Sequence, residues 1–197
     1  NSFKAFNKMT WRNRAITDPF EPGSTLKIFT VAGALETGEI TPNSIFFCEN
    51  GAYRIGRNTV HDTHPYGWLT LQDIVKYSSN IGAVKVSQSL GPERLYNNLK
   101  AFGFGKRTGI DFPGETPGRL SHFKRWSKID AGAIAFGQGI SVSAIQLITA
   151  VSAIANEGQL MAPFVVQGIT NSQGRIVKSF HPRKVRQVIT KENAMHL

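Results

Sequence analysis

Glu21-Pro22-Gly23-Ser24-Thr25-Leu26-Lys27-Ile28-Phe29-Thr30-Val31-Ala32-Gly33-Ala34-Leu35-Glu36 is the stretch on which the fold turns. Leu26, Ile28, Phe29, Val31, Ala32 and Leu35 cover almost the whole circumference of a helix, and a helix apolar all round is a buried one. The helix is expected from about Ser24 to Glu36, stopping at Gly38, where a left-handed cap needs no β-carbon. Lys27 stands in its first turn, although a buried ammonium is costly unless paired or neutral. Ser24 lies three residues earlier, so hydroxyl and amine share a face. Glu21-Pro22-Gly23 gives a rigid lead-in that leaves the N–H groups of the helix start open. This arrangement suits a nucleophile. A serine needs an adjacent base, a desolvated lysine can act as one, and a helix N-terminus favours a developing oxyanion. The plainer reading is that Ser24 caps the helix and Lys27 reaches water. Ser-x-x-Lys also occurs by chance, so the motif alone decides nothing.

Tyr77-Ser78-Ser79-Asn80 forms a second constellation. The expected helix around it begins at Thr70, whose spacing to Asp73 makes a capping box, and continues to about Leu90. Ile74, Val75, Ile81, Val84 and Val86 pack around the polar run. Serine and asparagine compete for the backbone and are poor inside helices. Three in a row between apolar flanks mark a site.

Further helices are expected at Pro92–Phe102, closed by Gly103, and at Ser143–Asn156, where Ser143 and Gln146 form a capping box. Strands are expected at Ile45–Cys48, and at Phe164–Thr170 with Arg175–Phe180 around the turn Asn171-Ser172-Gln173-Gly174. Ala131 to Asn156 carries no charge over more than the ~20 residues of a membrane span. Gly137-Gln138-Gly139 and several polar residues interrupt it, so it reads as loop, glycine turn and buried helix ending near Gly158. The chain opens at Asn1 without a charged-then-apolar leader, and Thr190–Leu197 reads as the start of a helix. Residues 1–197 are therefore expected to be part of a domain, cut at both ends.

A length of 197 residues fits one domain or a piece of one, and 41% hydrophobic residues exclude a disordered chain. The single cysteine, Cys48, excludes a disulfide framework; beside Phe46 and Phe47 it reads as a buried strand residue. Lys+Arg of 23 against Asp+Glu of 13 give +10, which raises polyanions as partners. The cations cluster at Lys4, Lys8, Arg12 and Arg14 and at Arg175, Lys178, Arg183, Lys184, Arg186 and Lys191. The aromatics are mostly Phe in apolar segments, not platforms between cations, which argues against nucleic acid. His61, Asp62 and His64 invite a metal reading, but Pro65-Tyr66-Gly67 indicates a loop and no third ligand is near. Glu93 and Asn97 read as solvent-facing helix residues.

Together, Ser24-Thr25-Leu26-Lys27 and Ser78-Ser79-Asn80 resemble the first two motifs of the penicillin-recognising serine acyltransferases, Ser-x-x-Lys and Ser-x-Asn. More of the chain resembles the monofunctional, class B penicillin-binding proteins, with division-type transpeptidases the closest subgroup. Glu21-Pro22-Gly23, Thr70-Leu71, Ile81-Gly82, Gly109-Ile110-Asp111-Phe112-Pro113-Gly114-Glu115 and Phe136-Gly137-Gln138-Gly139 with Gln146-Leu147 carry that likeness, from Phe20 to Gly158. The resemblance implies an α+β penicillin-binding, β-lactamase-like transpeptidase fold, here helix-rich and lacking the later strands of the central sheet. The third motif, Lys-Thr-Gly, has no match: Lys106-Arg107-Thr108-Gly109 carries an inserted arginine and lies too early. The chain is thus expected to stop before that motif and to be an impaired piece of an enzyme.

The resemblance also implies roles. Ser24 would attack the carbonyl between the two D-alanines of a peptidoglycan stem peptide, and Lys27 would take its proton. Ser78 would relay a proton to the leaving D-alanine, and Asn80 would hold the substrate amide and Lys27. Ser79, Gly137, Gln138 and Gly139 would line the substrate site. β-Lactams would acylate Ser24, and neither metal nor organic cofactor is required. The implied setting is the outer, periplasmic face of a bacterial cytoplasmic membrane, alongside cell-wall or division proteins. Two other readings stand beside it: a β-lactamase or D,D-carboxypeptidase of the same superfamily, and a non-catalytic cell-wall assembly module. Because Leu26, Phe29 and Leu35 would lack part of a sheet's cover, the isolated chain is expected to self-associate.

Overall fold

The computed structural model describes residues 5–197; Lys4 of the N-terminal basic cluster lies outside them. Eight α-helices and eight short strands follow in the described chain. The helices are α1 (Arg14–Thr17), α2 (Lys27–Leu35), α3 (Leu71–Lys76), α4 (Asn80–Leu90), α5 (Pro92–Ala101), α6 (Lys128–Ala135), α7 (Ala144–Ala155) and α8 (Lys191–Met195). The strands are β1 (Ile45–Phe47), β2 (Ala52–Ile55), β3 (Asn58–His61), β4 (Trp68–Thr70), β5 (Gln159–Ala162), β6 (Gly168–Thr170), β7 (Ile176–Ser179) and β8 (Arg183–Gln187). They pair antiparallel as β1–β4, β2–β3, β5–β8 and β6–β7, and make no larger sheet among the described residues. The architecture is mixed helix and sheet, as the sequence implies.

α2 is the axis of the core, packed on α3, α4 and α5. Phe29 is fully buried and meets Phe102 and Phe104 edge-on, with ring centroids 4.8 and 5.1 Å apart. Such aromatic pairs add about 0.5–1.5 kcal/mol to the burial itself. Asn98 Nδ2 donates to Phe29 O at 2.7 Å and lies where a β-carbon on Gly33 would fall. Thr30 Oγ1 donates to Ala135 O at 2.9 Å, tying α2 to the end of α6. The expected gap in the cover of Leu26, Phe29 and Leu35 is therefore absent: all three are buried. That removes the ground for expecting self-association. Apolar exposure falls instead on α7, where Ile148 is 57% exposed, and on the β6–β7 hairpin.

Several boundaries match expectation because local chemistry sets them. Gly38 is left-handed at φ 71°, Ser143 and Gln146 make both halves of their capping box, and Thr190 caps α8. α5 starts at Pro92 and stops before Gly103, at φ 98°. β6 and β7 flank Asn171–Gly174, and Cys48 is buried just beyond β1. Glu93 and Asn97 are exposed on α5.

Two expectations need correction. The helix expected from Thr70 to Leu90 is two helices, because Ser78 adopts φ 57° and its neighbour Ser79 caps a new helix. The loop expected at Ala131–Ala135 is the end of α6, started by a Ser127–Asp130 capping box. Gly132 lies inside that helix. It is buried against Val84, where a β-carbon would come within 3.3 Å. No helix among the described residues is long and apolar enough to cross a membrane.

Candidate active site

The chain reaches Ser24 through a 3-10 turn, Gly23–Leu26, which runs directly into α2. Pro22 makes no side-chain cap, so the first N–H groups of this turn are not capped by a side chain. Ser24 is exposed, and its hydroxyl makes no hydrogen bond among the described residues. Lys27, one turn later, is only 2% exposed. Burial lowers its pKa to about 8, against an opposing pull from the Asp62 carboxylate. On the ordinary scale about a tenth of such an amine is neutral at pH 7, enough to accept a proton.

Lys27 Nζ donates to Ser78 Oγ at 2.9 Å and also to Ser78 O. Both acceptors face it because Ser78 is left-handed, a conformation that costs a non-glycine residue of order 1–2 kcal/mol. The two sequence motifs, 51 residues apart, thus meet at one amine. Asn80 Nδ2 donates to His61 O at 2.9 Å. Among the described residues it does not bond Lys27, whose bonds go to Ser78, so the expected Asn80–Lys27 contact is corrected. Ser79 is also corrected as a substrate-facing residue. Its side chain is 1% exposed, accepts from Gly82 N at 2.8 Å and donates to Asp62 Oδ2 at 2.6 Å. It caps α4 from within. Ser79 Oγ also lies 3.5 Å from Cys48 Sγ, and burial pushes the Cys48 thiol pKa up.

The glycine turn after α6 braces Ser24 from the other side. Gly23 N donates to Gly137 O at 3.1 Å, and Gly139 N donates to Glu21 Oε1 at 2.9 Å. Gly137 is buried, its N–H donating to Ile134 O and its carbonyl accepting from Gly23 N; of the three residues of this turn expected to meet substrate, only Gln138 has a side chain, and it is exposed. Gly137 has φ 85°, and a β-carbon there would fall 2.0 Å from Gly23 O. Gly137→Ala is therefore expected to destabilise the fold by about 3 kcal/mol or more, since backbone must move at a left-handed position. A thermal-melting shift of less than a few degrees would contradict this.

Two contributors escaped sequence reading. Asp62 accepts from Ser79 Oγ, Asn80 N and Ile81 N, and Glu21 holds Gly139. Their partners are 17 to 118 residues away, so no local pattern announces them. The sequence offers Asp62 only as a metal-ligand candidate between His61 and His64. His61 ends β3 and His64 meets the ring of Tyr66 at 5.8 Å, and no group of three His, Cys, Asp or Glu side chains gathers among the described residues. Lys106-Arg107-Thr108-Gly109 lies in a loop held by Glu115, which accepts from Thr108 N, Thr108 Oγ1 and Gly109 N.

Comparison with known proteins points to one family. The family model described as "Penicillin binding protein transpeptidase domain" matches residues 1–197. The chain is 38% identical over 179 residues to the probable peptidoglycan D,D-transpeptidase PenA of Neisseria flavescens, covering 90% of this chain and 44% of the relative. It is 35% identical over 189 residues to stage V sporulation protein D of Bacillus subtilis, covering 94% and 29%. Penicillin-binding protein 3 of Mycobacterium tuberculosis, solved with ampicillin, superposes with a TM-score of 0.86 at 32% identity, covering 93% of this chain and 41% of that one. The chain spans less than half the length of these relatives. With the Ser-x-x-Lys turn and the Ser-x-Asn turn joined through Lys27, and the match running from end to end, the chain belongs to the transpeptidase-domain family of the class B penicillin-binding proteins.

Proposed function

We propose that this chain carries the acyl-transfer site of a peptidoglycan D,D-transpeptidase. The observation that carries the reading is the bond from buried Lys27 Nζ to Ser78 Oγ, one helical turn from the exposed hydroxyl of Ser24. Ser24 Oγ attacks the carbonyl between the two D-alanines of a stem peptide, and neutral Lys27 takes the hydroxyl proton. With Gly23 N–H already bonded to Gly137 O, the Ser24 N–H at the start of the turn favours the charge that develops at the carbonyl oxygen. Ser78, bonded to Lys27, passes a proton to the leaving D-alanine amine. A second stem peptide's amine then displaces Ser24, forming the cross-link and returning a proton to the site. Asn80 remains beside this path with one amide hydrogen on His61 O, so its carbonyl is available to a substrate N–H. The residues supply nucleophile, base and relay, and the scheme uses no metal or cofactor.

A β-lactam offers Ser24 a strained amide in place of the peptide and leaves a covalent ester. We place the whole protein at the outer face of the cytoplasmic membrane, working with cell-wall or division proteins, because its substrates are assembled there. The test is time-resolved mass spectrometry of the full-length protein with a penicillin, followed by peptide mapping. The expected result is one adduct on the peptide containing Ser24, persisting for many minutes. Release within seconds, with continued turnover, would identify a hydrolase. No adduct at all would favour a non-catalytic module.

A further inference from the structure

We infer that Asp62 is a positioning residue of this site: its carboxylate holds the Ser78-Ser79-Asn80 turn in place and presents a negative charge toward Lys27. The inference rests on the reading of Lys27 as base, and concerns what keeps that base in register.

Asp62 follows β3 and is tied to the β2–β3 hairpin region by its N–H, which donates to Gly51 O at 3.1 Å. Its two oxygens receive three donors from one turn. Oδ1 accepts from Asn80 N at 2.5 Å and Ile81 N at 3.0 Å, and Oδ2 accepts from Ser79 Oγ at 2.6 Å. Charge-assisted bonds of this kind are about twice as strong as neutral ones. The turn needs such a hold. Ser78 is left-handed without being glycine, and a strained residue persists only where its surroundings over-determine it. Were the turn to relax into a continuous helix from α3 into α4, Ser78 O would enter the helical ladder and lose its aim at Lys27. The carboxylate therefore acts through Ser79 and Asn80 on the residue between them and the amine.

The same carboxylate also acts through charge. Burial favours neutral Lys27, and Asp62 opposes this by favouring the ammonium. The other charged and titratable groups around the turn are otherwise engaged. Lys85 of α4 is paired with Glu49 at 2.7 Å, Cys48 is buried beyond β1, and Tyr77 at the end of α3 stacks on Tyr66 at 5.5 Å. His61 offers the turn its carbonyl. Asp62 thus improves the geometry of the base while restraining its deprotonation.

Asp62→Asn separates these effects from simple loss of shape. The amide can still accept from the two backbone N–H groups, but it carries no charge. Ser79→Ala, in contrast, removes one of the three bonds together with the cap on Gly82 N, and leaves the charge. In full-length protein labelled at lysine Cε, with the Lys27 resonance assigned by its absence in Lys27→Arg, NMR titration reads the charge state of Lys27 without any reaction. Stopped-flow acylation by a penicillin across pH reads the reaction. For Asp62→Asn, the Lys27 midpoint moves to lower pH, the acylation midpoint follows it, and the high-pH plateau falls about 10- to 100-fold. For Ser79→Ala, the plateau falls while the midpoint stays. An unmoved Lys27 midpoint in Asp62→Asn overturns the charge half, and an unchanged plateau in both variants overturns the positioning half. If the NMR midpoint moves but acylation ignores it, Asp62 acts as inferred on Lys27, and the reading that fails is that of Lys27 as the base.

Discussion

Ser24→Ala is expected to remove every covalent β-lactam adduct from the protein while leaving its fold intact. Ser24 is exposed and its hydroxyl has no partner among the described residues, so its loss should change stability by no more than about 0.5 kcal/mol. The rate effect should be far larger. Loss of a nucleophile that works as a unit with its base costs on the order of 10⁶ in a serine hydrolase, and no residue stands ready to replace it here. Ser78 is the nearest competitor: it is exposed and also touches Lys27. Its left-handed backbone holds the oxygen on the amine, one motif away from the N–H groups of the Gly23–Leu26 turn. Intact-protein mass spectrometry with excess penicillin gives the answer. A mass increase surviving in Ser24→Ala would transfer the nucleophile's role elsewhere, with Ser78 the first position to map.

Lys27→Arg should be nearly as damaging for a different reason. Arginine keeps the positive charge and can reach Ser78, so a purely electrostatic or structural role would tolerate it. It does not lose its proton in a protein, so it cannot serve as the base. It also carries a larger, permanently charged group into a position where Lys27 is 2% exposed, and Asp62 is the carboxylate that bears on it. Acylation should fall by about 10³-fold or more, with a lowered melting temperature. The pH dependence adds a second check. In the wild type, acylation should rise with pH through a midpoint near 8, as neutral Lys27 accumulates. The sign for stability is the same. Folding lowers the pKa of Lys27, so the stability it contributes is present above the ordinary lysine value and is lost as pH falls through about 8. In Lys27→Arg both slopes should flatten. Acylation within tenfold of wild type would show that Lys27 does not act as the base.

The site behind these expectations is partly legible in the sequence. Ser24 and Lys27 could be placed on one face because helical spacing is a local property, and the all-round apolar pattern said that the lysine would be buried. The capping residues Ser143, Thr190 and Thr70, and the left-handed glycines at 38 and 103, were readable for the same reason. Each acts within a few residues of itself. The break at Ser78 was half legible: the poor helix propensity of Ser-Ser-Asn was visible, yet it was assigned to a site inside a helix and not to a gap between two. α6 is not legible in the uncharged run from Ala131, because its start rests on the Ser127–Asp130 capping box ahead of that run.

What the sequence determined by itself was therefore the chemistry on offer: a serine and a lysine one turn apart, a polar Ser-Ser-Asn run between apolar flanks, and enough motif likeness to place the family. Only the tertiary structure decided how they are used. It brought Ser78 to Lys27 across 51 residues and turned Ser79 inward as a cap. It made Gly137 a brace beneath Gly23, and converted Asp62 from a candidate metal ligand into the clamp of the second motif. It also covered α2 with helices of the same chain, where a missing sheet had been expected to leave it bare. The division follows from range. Propensity, capping and periodicity act over a few residues and can be read from order alone, whereas a buried amine's partners, its pKa and a glycine's closest neighbour are set by segments that meet only when the chain packs.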